Sequence, residues 1–494
     1  MVQNFAELIV VLHGNIFLNH WILASDNDYL TDLPIFAILG LIFGPVHWLT
    51  IAEPVIVFAL ILLAAMMLVR RAAPPNTPLW PGAVAILLLL GIPFTPARQT
   101  FLIPAFHTAT IMYCLYAVLI LQPVLSGKHV NRLLFIPFLL LLFSAIASDP
   151  LTDAFFALPL LALLLLRVWF YQTLSLDEGI IFGLTLLACY SGAVWPHFTT
   201  FHQGFLVNVN YVPGVVPDML HLISNLRGLF SLTLCWFDVS PAVLPPVYGA
   251  HVFAVTRLTL FVILFGAWTV IVWRMPRARD DGLQQFFTLG AICLALANVA
   301  SINFYSLDHK EGVHLPEIRF LAPGFVILVI AGVIELQRFL PYLLKHLIWR
   351  RAAASIGIVC GLAFVLCAAQ QVAKASLQPP GYQMAPSYDL TQWLLAQHYS
   401  YGIADYWNAN MITAASDGKV ICDPAMGIAP GIQYYPLNID ISRFQAKRRP
   451  QFVVIMKGNL SLVTMTGAVQ AYGPPVKIDQ LGSYTIFIPR SKEP

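Results

Sequence analysis

Residues 50–71 read TIAEPVIVFALILLAAMMLVRR, and every position from Val55 to Val69 is apolar. A helix needs about 20 mainly apolar residues to cross the hydrocarbon core of a bilayer. This run has that length, and Arg70 and Arg71 close it. Comparable runs recur at 80–94, 104–122, 133–147, 152–171, 179–195, 251–273, 284–302, 320–338 and 352–372. Those at 80–94 and 133–147 are short and borrow flanking residues. Pro93, Pro137, Pro159 and Pro323 lie in or near these runs, which packed membrane helices tolerate. The composition agrees, with 59% of 494 residues apolar, 10% charged and a mean hydropathy of +0.75. A soluble chain is nearer half apolar and a quarter charged. Disordered, collagen-like, coiled-coil and disulfide-scaffold classes are excluded. A net charge of +3 provides no broad basic surface, which argues against a nucleic-acid partner.

Lys and Arg orient the spans, because cytoplasmic connections carry the basic excess. Arg70/Arg71, Lys128/Arg132, Arg167, Arg274/Arg277/Arg279 and Arg338/Lys345/Arg350/Arg351 fall at alternate span ends. Ten crossings put them all on one side. The opposite, outer face then receives segment 13–48, the loop 196–250, the loop 303–319 and everything after about Ser376. Acidic residues and a few isolated arginines gather there. Residues 1–375 therefore read as a polytopic α-helical membrane domain, and 376–494 as a small soluble α/β domain outside the membrane. In the tail, Ser387 suits the cap of a helix over Asp389–His398, and Trp407–Ser416 suits a second helix. Tyr401–Ala404, Lys419–Cys422, Phe452–Met456 and Tyr484–Ile488 are strand-like. Of seven cysteines, only Cys235 and Cys422 face outward, the one pair a disulfide would join. No metal-type Cys/His spacing, phosphate loop, nucleophile elbow or HExxH occurs.

Chemistry, on this reading, lies on the outer face. SDNDYLTDLP places Asp26, Asp28 and Asp32 just before a membrane-proximal helix. Carboxylates gathered at a bilayer surface bind a divalent cation through hard oxygen ligands, and Asp26 and Asp28 are the candidate ligands. Alternatively, one of the three serves as a general base. Helix capping by Thr31 and Asp32 is the competing explanation. Asp149 and Asp153 sit at a tight turn between two spans, where acids are costly and tend to mark functional interiors. A solvated turn capped by Asp149 is the alternative. Arg319 enters the outer end of a span in EIRFLAPG, suited to a lipid phosphate or to snorkelling. Arg257 lies about two turns inside another span and needs a partner, an acid or a ligand phosphate. Arg98 occupies an outer turn. His107 stands near the outer end of its span, and His197 and His202 flank the aromatic run WPHFTTFH. The two flanking histidines suit sugar stacking, although a lone His is more often structural.

The run HGNIFLNHWILASDNDYLTDLPIFAI resembles the first outer loop of GT-C-type integral membrane glycosyltransferases. Bacterial members carry a Gly-Asn, a Trp, an Asp and a Thr-Asp/Glu-Leu-Pro-like stretch before the second span. Gly14-Asn15, Trp21, Asp26 or Asp28, and Thr31-Asp32-Leu33-Pro34 correspond. His107-Thr108-Ala109, SDPL at Ser148–Leu151, RFLAP at Arg319–Pro323 and YGIADYW at Tyr401–Trp407 recur in similar order. The resemblance implies about ten to eleven spans with a catalytic outer face and a C-terminal domain on the periplasmic side of a bacterial inner membrane. It implies cell-envelope polysaccharide chemistry: transfer of a sugar from a polyprenyl-phosphate-linked donor to a glycan, lipid or protein acceptor. The transfer would be a single displacement with inversion, with Asp26, Asp28 or Asp32 as base or as anchor for Mg2+ or Mn2+. Arg319, Arg257 and Arg98 would hold the donor phosphate, and His107, Asp149, His197 and His202 would contact substrate. Family members also carry an acid at the outer end of a complete first helix, upstream of the Gly-Asn. Here only about a dozen residues precede Gly14, and Glu7 is the sole candidate. The chain thus departs from the pattern, as a shortened version would, and loss of that acid would impair transfer.

Two other classes compete. A transporter or lipid flippase would hold polar residues at mid-membrane in broken helices, often with internal repeats, and neither feature is visible. A polysaccharide polymerase or ligase is also polytopic with outer-loop arginines, but the soluble tail and the first-loop acids favour a glycosyltransferase.

Overall fold

The computed structural model describes residues 3–74, 77–78, 80–90, 107–171, 174–208, 218–236, 248–274, 281–301, 319–343, 355, 386–427, 431–435, 439–442, 449–457 and 462–490. Along the chain run helices α1 (Gln3–Leu12), α2 (Asp32–Phe43), α3 (Leu49–Ala72), α4 (Trp80–Leu89), α5 (Thr108–Leu125), α6 (Phe135–Ser148), α7 (Leu158–Tyr171) and α8 (Leu176–Phe201). They continue as α9 (Met219–Trp236), α10 (Tyr248–Arg274), α11 (Gly282–Ala300), α12 (Ala322–Leu343), α13 (Pro386–Ala396), α14 (Tyr406–Ala415) and α15 (Met465–Tyr472). The molecule is mostly helical. Among the described residues, six helical stretches are long and apolar enough to cross a membrane: Leu49–Ala72, Thr108–Leu125, Asp153–Phe170, Leu176–Phe201, Gly282–Ala300 and Arg319–Phe339. These suggest a multi-pass membrane protein. The short run at 133–147 appears within the shorter apolar stretch Arg132–Ser148, and Val262–Arg274 is another such stretch. Apart from Ser355, the expected span 352–372 lies outside the described residues, as does the turn holding Arg98.

Among the described residues, the segment 196–250, read above as a loop, is helical at its start, over Met219–Trp236 and again from Tyr248. Helix α8 continues through Pro196 to Phe201, with the Thr199 and Thr200 hydroxyls donating to the Pro196 carbonyl at 2.9 and 2.8 Å. Helix α9 follows further on. Its apolar residues recur at helical spacing, while His221, Asn225 and Arg227 interrupt the run that would have marked it in the sequence.

Contacts divide the chain into two compact units. One comprises Pro54–Val194 and Val212–Gln370 and is a helical bundle. Helix α11 is its hub, packing against α7, α9 and α12, with Phe286 set edge-on to Phe156. Basic helix ends take counterions here. Arg132 pairs with Asp177, Arg167 with Glu178, Arg274 with Glu335, and Arg338 with Asp281 and Glu335. Acids therefore share the ends that carry the arginines, instead of gathering only at the opposite ends as the sequence reading had it. A guanidinium at a lipid-facing helix end is costly without such a partner.

The other unit joins Met1–Glu53, Trp195–Tyr211 and Gln371–Pro494. The tail is thus grouped with the first outer segment. A small sheet ties the pieces together: β1 (Trp21–Leu23) pairs in parallel with β2 (Leu206–Val207) and antiparallel with Ile439–Asp440. The tail's own sheet contains β3 (Tyr401–Ala404), β4 (Ile421–Met426), β5 (Gln433–Tyr434), then, beyond β6 (Ile439–Asp440), β7 (Phe452–Met456), β8 (Pro475–Leu481) and β9 (Tyr484–Pro489). Its order is β5-β4-β3-β7-β9-β8. Strands β4 and β7 run parallel to β3 on either side, and β8–β9 is an edge hairpin. Helices α13 and α14 cover one face, through Leu390, Leu394, Ala409 and Ile412, and α15 covers the other through Ala468. Ser387 lies inside α13 and is not its cap. The second tail helix begins one residue earlier than expected, at Tyr406, and Asp405 caps it by accepting from the Asn408 amide. Cys422 does not face outward: it is a buried free thiol in β4. A strand residue with both faces covered has nowhere else to point.

Candidate active site

The site is built on α1, α2 and the loop between them. The β1 pairing with β2 and β6 anchors the start of that loop, and three further bonds extend it. Phe205 N–H donates to Phe17 O, Asn208 N–H to Leu23 O and Ile441 N–H to His20 O, each at 2.9 Å. Behind the strand, Tyr29 packs on Phe205 with ring centres 4.6 Å apart and donates its hydroxyl to Ile16 O at 2.7 Å. The loop holding the acids is therefore held from both sides.

Asp28 turns the chain. It adopts φ +53°, a left-handed conformation that Asp tolerates better than most residues. Its carbonyl receives the amides of Thr31, Asp32 and Leu33. That main-chain clamp starts α2, with Thr31 and Asp32 at its N-terminus where the capping explanation puts them. Thr31 occupies the cap position, yet its side chain makes no cap bond and donates instead to Asp32 Oδ2 at 3.1 Å. Asp32 sits in the first turn of α2, where the helix dipole favours a negative charge. It is 1% exposed, and Asp28 is 2% exposed. Asp26 is half-buried in the bend before them.

Two further carboxyls join Asp32. Glu7, on α1, and Glu53, one turn into α3, are both completely buried, and no hydrogen-bond donor reaches either among the described residues. Burial, and after it the neighbouring Asp32 charge, lift the Glu7 carboxyl from 4.5 to about 8. Glu7 in turn helps burial hold the Tyr29 phenol up at about 12. The Glu53 carboxyl lies against that of Asp32. Two bare carboxylates offer each other only acceptors, so this contact becomes a hydrogen bond once one of them carries a proton. Carboxyls this close cannot all ionise together. Helix α1 itself is fixed by Phe5 and Leu8 against Phe36, Leu49 and Ala414 of the tail helix α14. Hence Glu7, proposed from resemblance, does reach the acid cluster. Glu53 was missed in the sequence. Its signal was an acid just inside a span, which membrane helices rarely tolerate without a role.

The remaining candidates distribute as follows. His107 and Asp149 meet in the helical bundle, Nδ1 to Oδ2 at 2.6 Å, 3% and 1% exposed. Asp149 also accepts from the Leu151 amide at 2.9 Å. Asp153 opens a π-helical turn, Asp153–Ala157. The Arg319 guanidinium lies over the Phe320 ring, 4.8 Å from its centre. Arg257 falls within α10, with its side chain outside the described residues, as is the whole of Arg98. His197 is exposed on α8, and His202 packs against Phe198 and Phe201 at its end. A cavity of about 20 Å3 lies between Ala6, Ile9 and Trp21 and the tail residues Thr413, Asp423 and Asp440. It has room for about one water and none for a sugar ring. Among the described residues, no group of three or more His, Cys, Asp or Glu has metal-binding geometry.

No family model, no curated protein and no solved structure matches this chain.

Proposed function

We propose that the chain is a membrane glycosyltransferase of the GT-C type, acting on the outer face of a bacterial inner membrane with its tail in the periplasm. It would transfer a sugar from a polyprenyl-phosphate-linked donor to a glycan, lipid or protein acceptor. The observation that carries the proposal is the set Glu7–Asp32–Glu53: three buried carboxyls at the start of a helix, at the foot of the loop that resembles the family's catalytic loop. Asp32 is the base. The acceptor hydroxyl oxygen bonds to the anomeric carbon, the bond from that carbon to the phosphate oxygen breaks, and the hydroxyl proton passes to Asp32. Inversion follows from the single displacement. Polyprenyl phosphate leaves with the bonding pair. The fork of donors on Arg319 suits a phosphate. Glu7 and Glu53 limit how many charges the cluster carries. A divalent cation, Mg2+ or Mn2+, would sit on the Asp26 and Asp28 carboxylates if the reaction requires one.

The exposed apolar face of α2, with Ile38, Leu41 and Ile42, supports placement at a lipid surface. The test is reconstitution of the full chain in lipid nanodiscs with radiolabelled polyprenyl-phosphate sugars and an envelope-glycan acceptor. Label in the acceptor supports the reading. A protein that transfers nothing but moves the lipid-linked sugar between leaflets of vesicles overturns it in favour of a flippase.

A further inference from the structure

In the helical bundle, His107 stands directly before α5 with φ +62°, and its side chain makes no bond to cap that helix. A histidine in this left-handed conformation is uncommon and is kept where surrounding contacts demand it. The contacts here are specific. Its Nδ1 is bonded to Asp149 Oδ2 at 2.6 Å, and its ring meets the Phe320 ring at 5.6 Å with a tilt of 47°. The other face of the relation is Arg319, whose guanidinium carbon lies 4.8 Å from the centre of the same phenyl ring. Asp149 is itself fixed, since its Oδ1 takes the Leu151 amide and its own amide caps α6 on Ala145 O.

We infer that His107 and Asp149 are positioning residues for Arg319, acting through Phe320. Asp149 sets the tautomer and plane of the imidazole, the imidazole sets the phenyl ring, and the phenyl face carries the guanidinium. A free arginine samples many rotamers, and stacking on a fixed ring removes most of them before a ligand arrives. The gain is in binding an oxyanion, a phosphate mono- or diester, and not in bond making. The inference rests on the assignment of Arg319 to the donor phosphate, and it gives His107 and Asp149 a positioning role in place of the substrate contact that the resemblance implies.

The experiment uses the full chain in nanodiscs, with two readouts: equilibrium binding of polyprenyl phosphate, and KM and kcat for the sugar donor. Inorganic phosphate at matched concentration distinguishes a lipid-phosphate site from a general phosphate site. The variants are His107→Asn, which tolerates the left-handed backbone, Phe320→Leu, which leaves the His–Asp pair intact, Arg319→Gln and the two doubles with Arg319→Gln. Each single variant at His107 or Phe320 should weaken lipid-phosphate binding and raise KM about tenfold, with kcat little changed. Adding either to Arg319→Gln should cost nothing more, because all act on one contact. Losses that multiply in the doubles, a fall in kcat with KM unchanged, or normal binding by a folded Phe320→Leu protein would overturn the inference. Lipid-phosphate binding with this coupling but without sugar transfer would leave the inference standing and remove the glycosyltransferase reading.

Discussion

Glu7 and Asp32 bury their carboxyls side by side, and the charge of one adds to burial in holding the proton of the other. Glu7 is lifted from 4.5 to about 8. Below pH 4.5 it is protonated in both folded and unfolded chains. Between 4.5 and about 8 the unfolded chain releases that proton while the folded one keeps it. Stability contributed by this group is therefore full at low pH and is lost as pH rises through that window. Thermal unfolding followed from pH 5 to 9 should show Glu7→Gln losing part of the decline, and exceeding the wild-type midpoint most at the alkaline end.

Glu53 carries a buried carboxyl with no donor among the described residues. Burying a carboxyl against another carboxyl, with no donor from the surrounding side chains, is destabilising. Glu53→Gln should accordingly raise the unfolding midpoint while lowering transfer, the trade expected where an unfavourable group is kept for activity. Paired unfolding and turnover measurements decide it. A variant both less stable and fully active would speak against a role in the cluster.

The first outer segment and the tail meet at His47 and Asp417, where one Asp417 oxygen receives both the His47 amide at 2.8 Å and its ring nitrogen at 2.9 Å. Both side chains are about a third exposed, so the charge is screened and the amide bond matters more. Asp417→Ala should cost about 1 kcal/mol and Asp417→Asn less. Limited proteolysis around residue 47 should be faster in the alanine variant.

Asp405 caps α14 with one oxygen and binds the Asn408 side chain at 2.7 Å with the other, and Tyr484 closes the network on Asn408 at 2.9 Å. Asp405→Ala should destabilise the tail by roughly 1–2 kcal/mol, read as a lowered unfolding midpoint without change in the bundle's helical signal.

Much of this architecture was legible where the signal is local. Val55–Val69 could only be a buried or lipid-facing helix, and the tail strands Tyr401–Ala404 and Phe452–Met456 fall where their β-rich runs lie. What escaped depends on contacts between distant residues. The sheet joining Trp21–Leu23, Leu206–Val207 and Ile439–Asp440 uses strands of two or three residues, too short for any pattern to show. Helix α9 hid because His221, Asn225 and Arg227 break its apolar run. Asp32 was found by its place before an apolar helix, yet its partners Glu7 and Glu53 come from two other helices, and no spacing rule links them. His107 and Asp149 were each singled out, but nothing in the sequence paired them.

The most direct test of the central claim is the rate of sugar transfer by Asp32→Asn in nanodiscs, with fold verified by unfolding and by retained polyprenyl-phosphate binding. If Asp32 accepts the acceptor proton, transfer falls about 100- to 10,000-fold while donor binding persists. Transfer within about threefold of wild type by a folded Asp32→Asn protein would contradict the account, since a general base is worth far more than that.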